Sequence, residues 1–369
     1  SLVIRSIVED AQNYLGEEIE EAVISVPAYF HDEQRVAVKR AGALAGIHVE
    51  RIVNEPSAAA LASYFTANEE QNMLVFDFGG GTLDVSLVDC FDTMVEIVSV
   101  AGNNRLGGDD FDRLIAEHFL REHGVARQQL RAQEYAVLLK QAERCKKLLS
   151  EQEEVVMHAM VGDQVYESTY TMDRLFEESK ALLKEIRQVI GRALKDGKMT
   201  IHDVDLVVMA GGSSKMPLIQ KYIRHLFHKA PMVQGNCDEL IALGLGLVCG
   251  VKERKEEIKD YILTDICPFS LGVATINEAD PDRAYMANII NRNTVLPCSR
   301  VRRFYTASDQ QDYVVVEVHQ GENTYAQDNL LLGKIEISVP PKPKGKEAVD
   351  VRFTYDINGI LVVDTRVVS

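Results

Sequence analysis

One stretch of sequence decides how this chain folds: Met73-Leu74-Val75-Phe76-Asp77-Phe78-Gly79-Gly80-Gly81-Thr82-Leu83-Asp84-Val85-Ser86-Leu87-Val88. Two apolar strands flank three consecutive glycines, with an acid before them and a hydroxyl after them. Glycine has no side chain, so the backbone N–H groups of residues 79–81 can close on an anion, and we expect positive φ values in this turn. Asp77 lies where its carboxylate could hold a hydrated metal ion or orient a water molecule. The stretch predicts a phosphate-binding β-hairpin, although a glycine-rich hairpin alone is as often structural as functional.

Three further motifs accompany this hairpin. Asn54-Glu55-Pro56-Ser57-Ala58-Ala59-Ala60 precedes it, Leu106-Gly107-Gly108-Asp109-Asp110-Phe111-Asp112 follows it, and Met209-Ala210-Gly211-Gly212-Ser213-Ser214-Lys215-Met216-Pro217 comes much later. In this order the motifs closely resemble those of the DnaK-type 70-kDa heat-shock chaperone family, and the resemblance extends over the whole chain. The segment Thr264-Asp265-Ile266-Cys267-Pro268-Phe269-Ser270-Leu271-Gly272-Val273 is most similar to the HscC branch of that family. The resemblance implies a partial α/β nucleotide domain with the actin-like (ribonuclease H-like) ATPase fold, followed by an antiparallel β-sandwich that binds peptides.

The composition limits the classes of function. A chain of 369 residues that is 46% hydrophobic can bury more than one core, so we expect two or three domains. The net charge of −16 argues against a nucleic-acid partner and against anionic membrane surfaces. The longest apolar run, residues 240–251, is shorter than the roughly 20 residues that a membrane span requires. The six cysteines are scattered without metal-ligand spacing, which favours reduced thiols in a cytoplasmic protein.

The first part of the chain, up to about Gly250, alternates short apolar strands with amphipathic helices, which is typical of α/β layers. Residues 22–26 are predicted to form a strand, followed by a helix that Asp32 caps and Gly46 ends. Another helix is predicted at about residues 133–149.

The later part of the chain has the alternation of β-strands. A charged segment at residues 252–260 precedes it, and the dipeptide Asn358-Gly359 predicts a two-residue hairpin turn. One face of a predicted strand carries Val314, Val316 and Val318, and the other face carries Tyr313, Val315, Glu317 and His319.

The resemblance implies a division into five segments. These are residues 1–66 as the remainder of lobe I, 67–232 as lobe II with a helical subdomain at about 107–181, 233–258 as a returning helix of lobe I, 259–266 as the interdomain linker, and 267–369 as an incomplete β-sandwich.

Hydrolysis of a phosphoanhydride needs positioned phosphates, a divalent cation and an oriented water molecule. By resemblance, Asp77, Glu55 and Thr82 are the catalytic residues, and Asp77 and Glu55 bind Mg²⁺. Taken alone, Glu55 is more simply an acid at a helix start. The resemblance also implies contacts of ATP or ADP with Gly79, Gly80, Gly81, Thr82, Gly108, Glu143, Lys146, Lys147, Ser150, Gly211, Gly212, Ser213, Lys215 and Asp238.

Four of these nucleotide residues, from Glu143 to Ser150, share one face of a helix, which without the family would favour a solvated surface. Lys147 and Lys215 stand where the family usually has arginines that stack on adenine. Lysine lacks the planar guanidinium, so we expect weaker nucleotide binding than in a typical member.

Other parts of the family pattern are not found in this sequence. The chain opens in a predicted helix at residues 2–14, and the first phosphate loop and the catalytic lysine of the family are missing. A last strand and a helical lid do not follow the final hairpin. We therefore expect this chain by itself to bind ATP poorly and to hydrolyse it hardly at all, whereas a longer parent protein would be an ATPase.

The resemblance also assigns a switch between domains and a peptide groove. Pro27, Arg35, Ile262 and Leu263 match the switch, although strand termination and surface charge would explain Pro27 and Arg35 alone. The residues that match the peptide groove, each of which could equally be sandwich core, are Met286, Phe304, Ala307, Val314, Val316 and Val349.

The sequence thus favours an ATP-dependent chaperone that binds unfolded or extended apolar peptides. Its expected partners include a J-domain cochaperone, with a nucleotide exchange factor as a further candidate. A nucleotide-independent peptide-binding holdase is the alternative. A third class, an actin-like sugar or acid kinase, would need neither the β-rich tail nor the apolar linker.

Overall fold

The computed structural model describes residues 1–67, 69–162, 164–233, 237–256, 258–277 and 280–368. The chain forms two compact units: unit 1 comprises Ser1–Ser57 and Val248–Ser369, and unit 2 comprises Ala58–Leu247. Ser369, the predicted end of the sandwich, lies outside the described residues. The five predicted segments divide the chain more finely and stay predictions.

The helices are α1 (Leu2–Leu15), α2 (Asp32–Ala45), α3 (Glu55–Ala67), α4 (Gly108–Glu122), α5 (Ala132–Leu148), α6 (Met172–Asp196), α7 (Pro217–Phe227) and α8 (Leu240–Lys252). The strands are β1 (Glu21–Val26), β2 (His48–Asn54), β3 (Gln71–Phe78), β4 (Leu83–Phe91), β5 (Met94–Asn103), β6 (Glu154–Val161), β7 (Gln164–Thr171), β8 (Leu206–Ala210), β9 (Ile262–Ile266), β10 (Leu271–Asn277), β11 (Asp280–Ile290), β12 (Val295–Leu296), β13 (Cys298–Tyr305), β14 (Tyr313–Gln320), β15 (Leu330–Ser338), β16 (Ala348–Tyr355) and β17 (Leu361–Val368).

Unit 2 is built on a mixed sheet with the strand order β5-β4-β3-β8. β3 pairs antiparallel with β4 and parallel with β8. The apolar run of β3 is buried on both faces, since Met73 and Val75 alternate with Leu74 and Phe76 and all four are fully buried. A strand covered on both sides needs such a continuous apolar sequence. These layers of helix and sheet are consistent with the predicted actin-like ATPase fold.

Helix α6 closes one side of the main core of unit 2. Its N-cap Thr171 accepts a hydrogen bond from the Arg174 amide at 3.2 Å. Along its buried face lie Ile186, Val189 and Ile190, which belong to the same hydrophobic cluster as the sheet residues. The spacing of three and four residues places them on one side of the helix, so the sequence pattern fixes which face is buried.

Unit 1 contains the parallel pair of β1 and β2 with α2 packed against it. The predicted strand at residues 22–26 and the helix end at Gly46, whose φ is +87°, are confirmed. The predicted cap Asp32 is wrong by one residue. His31 is the N-cap, and its amide donates to Gln34 Oε1 at 3.0 Å, whereas the carboxylate of Asp32 accepts from the Leu361 amide at 2.8 Å.

The β-rich part of unit 1 has two antiparallel sheets, β11-β10-β14-β15 and β13-β16-β17. Residues of both sheets form one hydrophobic cluster, in which Val318 and Phe353 are buried. The alternation of the sequence predicts His319 and Val318 on opposite faces of their strand, yet both are buried, and His319 is only 4% exposed. A register shift between Val318 and His319 in the pairing with β15 changes the alternation at this point, which explains the difference.

The turn at Asn358-Gly359 also differs from the prediction. β16 ends at Tyr355 and β17 begins at Leu361, so the connection has more than two residues. The amide of Ile360 donates to the Asp356 side chain at 2.9 Å, and this bond supports the longer loop.

Two global features follow from the described residues. In that part of the chain no helix is both long enough and apolar enough to cross a membrane. All six cysteines are free thiols, as the sequence predicted.

The contact between α3 and α8 gives a test of packing. A Cβ atom at Gly244 in α8 would lie 2.0 Å from the carbonyl oxygen of Ala58 in α3, whereas a Cβ at Gly246 would meet nothing within 4 Å. We expect Gly244→Ala to lower the free energy of unfolding by about 1–3 kcal/mol through overpacking. Gly246→Ala, the matched control, should raise it by up to about 1 kcal/mol because alanine favours the helix. Urea unfolding measures both, and equal effects of the two changes would contradict the close helix packing.

Candidate functional site

Two glycine segments of unit 2 meet at the turn between β3 and β4. The amide of Gly108 donates to the carbonyl oxygen of Gly79 at 3.0 Å, and the amide of Asp109 donates to that of Gly80 at 2.7 Å. A Cβ atom at Gly107 would lie 2.2 Å from the Gly80 oxygen. Only glycine at position 107 therefore permits this approach, which brings the start of α4 to the hairpin turn.

The glycines of the hairpin turn differ from the prediction in their backbone conformation. None of Gly79, Gly80 and Gly81 has a positive φ, so that expectation is wrong. The turn is closed by a hydrogen bond from the Gly79 amide to the Thr82 carbonyl at 3.0 Å. A Cβ at Gly81 would meet nothing within 4 Å. The missing side chains leave the backbone of the turn uncovered, which is what binding of an anion to backbone amides requires.

A third glycine segment reaches the end of β3 from the other side. β8 runs parallel to β3 with Asp77 opposite Ala210, and the chain bends at Gly211, whose φ is +79°. A Cβ at Gly211 would lie 2.6 Å from the Phe78 carbonyl oxygen and 2.7 Å from Asp77 Oδ1. The hairpin and the late glycine motif, about 130 residues apart in sequence, therefore lie in direct contact.

Asp84 is a candidate that sequence reasoning missed. It lies directly opposite Asp77 in the antiparallel pair of β3 and β4 and is 3% exposed. Burial raises the pKa of the Asp77 carboxyl to about 6. Burial, reinforced by the charge of Asp77, raises the pKa of Asp84 to about 7. The signal was present in the sequence, because the short turn at residues 79–82 places these two acids opposite each other.

The two carboxylates fit a hydrated divalent cation. Like charges directly across a strand pair are destabilising, and Asp84 Oδ1 is a buried oxygen without a hydrogen-bond partner in the described residues. Mg²⁺ prefers oxygen ligands and usually keeps several of its water molecules. Within the described residues no group of three or more His, Cys, Asp or Glu side chains could hold a metal ion directly. The donor set therefore suits a cation that is held largely through water.

Lys146 and Asp112 form a buried ion pair beside the glycine segments. Lys146 Nζ lies 2.8 Å from Asp112 Oδ1 and donates to the carbonyl oxygen of Gly108 at 2.9 Å, and both side chains are 9% exposed. Burial raises the pKa of Asp112, and the bond with Lys146 opposes that shift. A Cβ at Gly108 would lie 2.2 Å from Ser213 Oγ, so Ser213 lies next to Gly108 and the ion pair. Lys146 is thus not part of the solvated face that its spacing alone favours.

Sequence reasoning also missed Asp112 as a partner of Lys146. It stands at the end of the motif that contains Gly107 and Gly108, one turn into α4. The sequence shows that Asp112 belongs to this glycine motif. It does not show that Asp112 lies close to Lys146, because Lys146 is on another helix, α5, and the packing of α4 on α5 brings them together.

Two exposed ion pairs line a cavity next to the glycine segments. Lys147 Nζ donates to Glu143 Oε1 at 2.6 Å, and Lys215 Nζ donates to Asp238 Oδ2 at 2.5 Å. The bond with Lys147 lowers the pKa of Glu143, and the bond with Asp238 raises the pKa of Lys215. The cavity has a volume of about 670 Å³, and both pairs line it together with Gly80, Lys146, Ser150, Gly212 and Ser213. Most of the predicted nucleotide residues are therefore brought together in unit 2.

The predicted metal ligand Glu55 is the first residue of α3 and belongs to unit 1. This position agrees with the simpler interpretation of Glu55 as an acid at the start of a helix. Its role at a metal ion stays a prediction.

One of the predicted switch residues, Arg35, belongs to a hydrogen-bond network within unit 1. Arg35 is only 2% exposed, so it is not a surface charge. Its guanidinium donates to Asn54 Oδ1 at 2.6 Å and to the Asn358 carbonyl oxygen at 3.2 Å. Asn54 Nδ2 in turn donates to Asp265 Oδ2 at 2.6 Å, at the end of the predicted linker. Pro27 directly follows β1, and Ile262 and Leu263 lie in β9.

The predicted peptide residues divide between core and cavity. A cavity of about 720 Å³ is lined by Phe304, Ala307, Val314 and Val316, together with residues of β10. Val349 is 2% exposed in the hydrophobic cluster, opposite Phe304 in the pairing of β13 with β16. Met286 pairs with Ala274 of β10 and does not line that cavity.

Comparison with known proteins agrees with the motifs. The Hsp70 protein family matches residues 1–368. The chain is 38% identical over 374 residues to the stromal 70 kDa heat shock-related protein, chloroplastic, of Pisum sativum, with 98% of this chain and 51% of that protein covered. It is also 38% identical over 374 residues to the chaperone protein dnaK of Cyanophora paradoxa, with 99% and 59% covered. The chain therefore spans between half and three-fifths of the length of these relatives, and its placement in the HscC branch stays a prediction. The family predicted from the four motifs is confirmed, and the chain belongs to the Hsp70 family.

Proposed function

We propose that this protein is an ATP-dependent molecular chaperone that binds extended apolar peptides, with nucleotide in the cavity of unit 2 and peptide in the β-rich part of unit 1. The observation that carries the proposal is the meeting of three glycine segments beside a cavity lined by the buried Lys146, with Asp77 next to Gly211 of the third segment. Uncovered backbone amides, a cation and a carboxylate are the groups that phosphoryl transfer requires.

The phosphates of ATP or ADP would lie along the turn at residues 79–81, where the backbone amides of Gly80 and Gly81 can donate to them. Lys146 is fixed by Asp112 and would donate to the ribose side of the nucleotide. Lys147 and Lys215 would flank the base. Asp77 and Asp84 would hold Mg²⁺, which when bound neutralises phosphate charge.

Asp77 would also orient the attacking water. Burial raises its pKa to about 6 in the metal-free site, so its carboxylate is ionised at neutral pH and can accept a hydrogen bond from that water. Its Oδ1 atom is held next to Gly211, so the carboxylate is positioned by backbone and not by a flexible loop. Thr82 and Glu55 are the further catalytic residues of the proposal.

The peptide site would be the cavity lined by Phe304, Val314 and Val316. Its apolar side chains fit an extended apolar segment, and the exposed Ala307 leaves the cavity open at one edge. Nucleotide state would reach this site through Arg35 and the linker residues Ile262 and Leu263. A J-domain cochaperone, a nucleotide exchange factor and a cytoplasmic location complete the proposal.

A nucleotide titration tests the role of unit 2. We expect Asp112→Asn to weaken ADP binding by about tenfold, because it leaves the buried Lys146 without its charged partner. Glu117→Gln, an exposed acid on the same helix, is the matched control and should leave the affinity unchanged. Calorimetric titration with ADP and Mg²⁺ gives both values.

The same samples are then used for anisotropy of a labelled extended apolar peptide with and without ATP. Weaker peptide binding in ATP supports the proposed cycle. Peptide binding that ignores ATP, with no heat from ADP, indicates the holdase instead. Binding of neither ligand contradicts both functions.

The acidic pair at Asp77 and Asp84 predicts a pH-dependent stability. The folded pKa of Asp84, about 7, exceeds its ordinary value of 3.8, so this group's contribution to stability is lost as the pH rises between those values. We expect Asp84→Asn to raise the free energy of unfolding by on the order of 2 kcal/mol at about pH 8, and by much less at about pH 5. Urea unfolding without added metal measures the difference, and Glu96→Gln on β5 is the control. A gain for Asp84→Asn that is independent of pH would show that burial of its charge is not the cause.

The two lysines around the base predict weak nucleotide binding that arginine would improve. In the double variant Lys147→Arg with Lys215→Arg, planar guanidinium groups can stack on adenine while keeping the bonds to Glu143 and Asp238. We expect ADP affinity to rise by about three- to tenfold. Competition with inorganic pyrophosphate, which has charge but no base, against a fluorescent ADP separates stacking from charge. An unchanged ADP affinity would mean that the lysines do not contact the base.

A further inference from the structure

A second groove in unit 2 lies between α6 and α7 and has a volume of about 570 Å³. It shares no lining residue with the nucleotide cavity or with the peptide cavity. We call it the basic groove. Its apolar floor consists of Met172, Phe176, Leu183, Leu218 and Tyr222.

The sequence spacing aligns these residues along both helices. On α6 the groove residues recur every three or four positions from Met172 to Arg187, which is one face of a helix. The adjoining face of α6 is anchored in the core through Ile186 and Ile190, and the groove residues Leu183 and Leu218 belong to the same buried cluster. Tyr222 donates its hydroxyl proton to the Leu183 carbonyl at 2.9 Å, which fixes its ring between the two helices. The floor is thus preformed.

Phe176 is the prominent apolar group of this surface. Its side chain is 44% exposed, although it lies among other apolar side chains at the groove. Exposed aromatic rings in a preformed apolar groove are typical anchors of protein–protein contacts.

The rim of the groove is positively charged. It carries Lys180, Lys184, Arg187, Lys221 and His225, and against them a single acid, Asp173. Lys180 pairs with Glu177 at 2.5 Å. For Lys184, Arg187 and Lys221 the described part of the chain offers no ion-pair partner within 4.0 Å. In a chain of net charge −16, this rim is a local cluster of positive charge that complements an anionic ligand.

We propose that the basic groove binds an acidic amphipathic helix of a partner protein. From Met172 to Arg187 the α6 wall extends about 22 Å, which is the length of a helix of about four turns. An apolar stripe of such a helix would fill the floor, and its acidic residues would face Lys184, Arg187 and Lys221. The contacts differ from those of an extended apolar peptide, because no strand edge lines the groove.

The probe is a fluorescein-labelled amphipathic peptide of about 16 residues, with leucines at i, i+3, i+4 and i+7 and glutamates elsewhere. A scrambled peptide of the same composition removes the apolar stripe. An excess of unlabelled extended apolar peptide fills the separate cavity of unit 1. We expect Lys184→Glu with Lys221→Glu to weaken binding of the probe by at least about tenfold.

A control with the same change of charge is available on the same helix. Arg192 and Lys195 are exposed on α6 outside the groove, and Arg192→Glu with Lys195→Glu should leave the affinity within about twofold. Phe176→Ala removes the anchor without a change of charge and should also weaken binding. It keeps the test decisive if the double charge reversal fails to fold.

Equal affinity for the scrambled peptide, or equal weakening by the control pair, would overturn the proposal. The proposal also fails if vesicles of anionic lipid bind with this dependence on Lys184 and Lys221 while the helical peptide does not. In that case the groove would be a membrane contact.

Discussion

The close approach of backbone segments at the end of β3 is the constraint on which unit 2 depends. Gly211 lies against Phe78 and Asp77, and Gly107 lies against the turn that follows them. A Cβ atom at either glycine would overlap a carbonyl oxygen, so any other residue would push β8 or α4 away from the hairpin. The candidate site therefore results from backbone packing. This packing fixes the backbone and, through it, the positions of the side chains of the site.

The buried charged groups near the end of β3 are of two kinds, one with a partner of opposite charge and one without. Asp112 and Lys146 neutralise each other and lie at ordinary hydrogen-bond distance. Asp77 and Asp84, by contrast, face each other with no cation beside them among the described residues, and burial raises both pKa values. Carboxyl groups with such raised pKa values cluster at functional sites of proteins. The uncompensated pair is thus the part of the site that a cation would stabilise.

The sequence predicted the features that depend on local pattern. The strands and helices around the glycine motifs were found because their periodicity is strong, and the family followed from the order of the motifs. The prediction of positive φ values in the turn at Gly79 was wrong. A glycine in the sequence shows that a positive φ is allowed, but it does not show whether the fold needs that φ or needs the missing side chain. The burial of Lys146 could not be predicted, because its partner Asp112 comes from another helix. The burial of His319 was not predicted, because a β-bulge depends on the partner strand and leaves no signal in its own sequence.

A similar dependence on distant partners explains the position of Arg35. Its guanidinium is buried, and its hydrogen bonds go to Asn54 and to the carbonyl oxygen of Asn358, which is 323 residues away in the chain. A buried guanidinium is stable only while its donors have acceptors. Movement of the loop at Asn358 would remove one hydrogen-bond acceptor of Arg35. The free-energy cost of burying the Arg35 guanidinium therefore depends on the position of the loop. A Cβ at Gly359 would lie 2.9 Å from Arg35 Nη1, which shows how closely the loop covers the charge. Arg35 therefore joins the β-rich part of unit 1 to the strand that ends at Asn54 through hydrogen bonds.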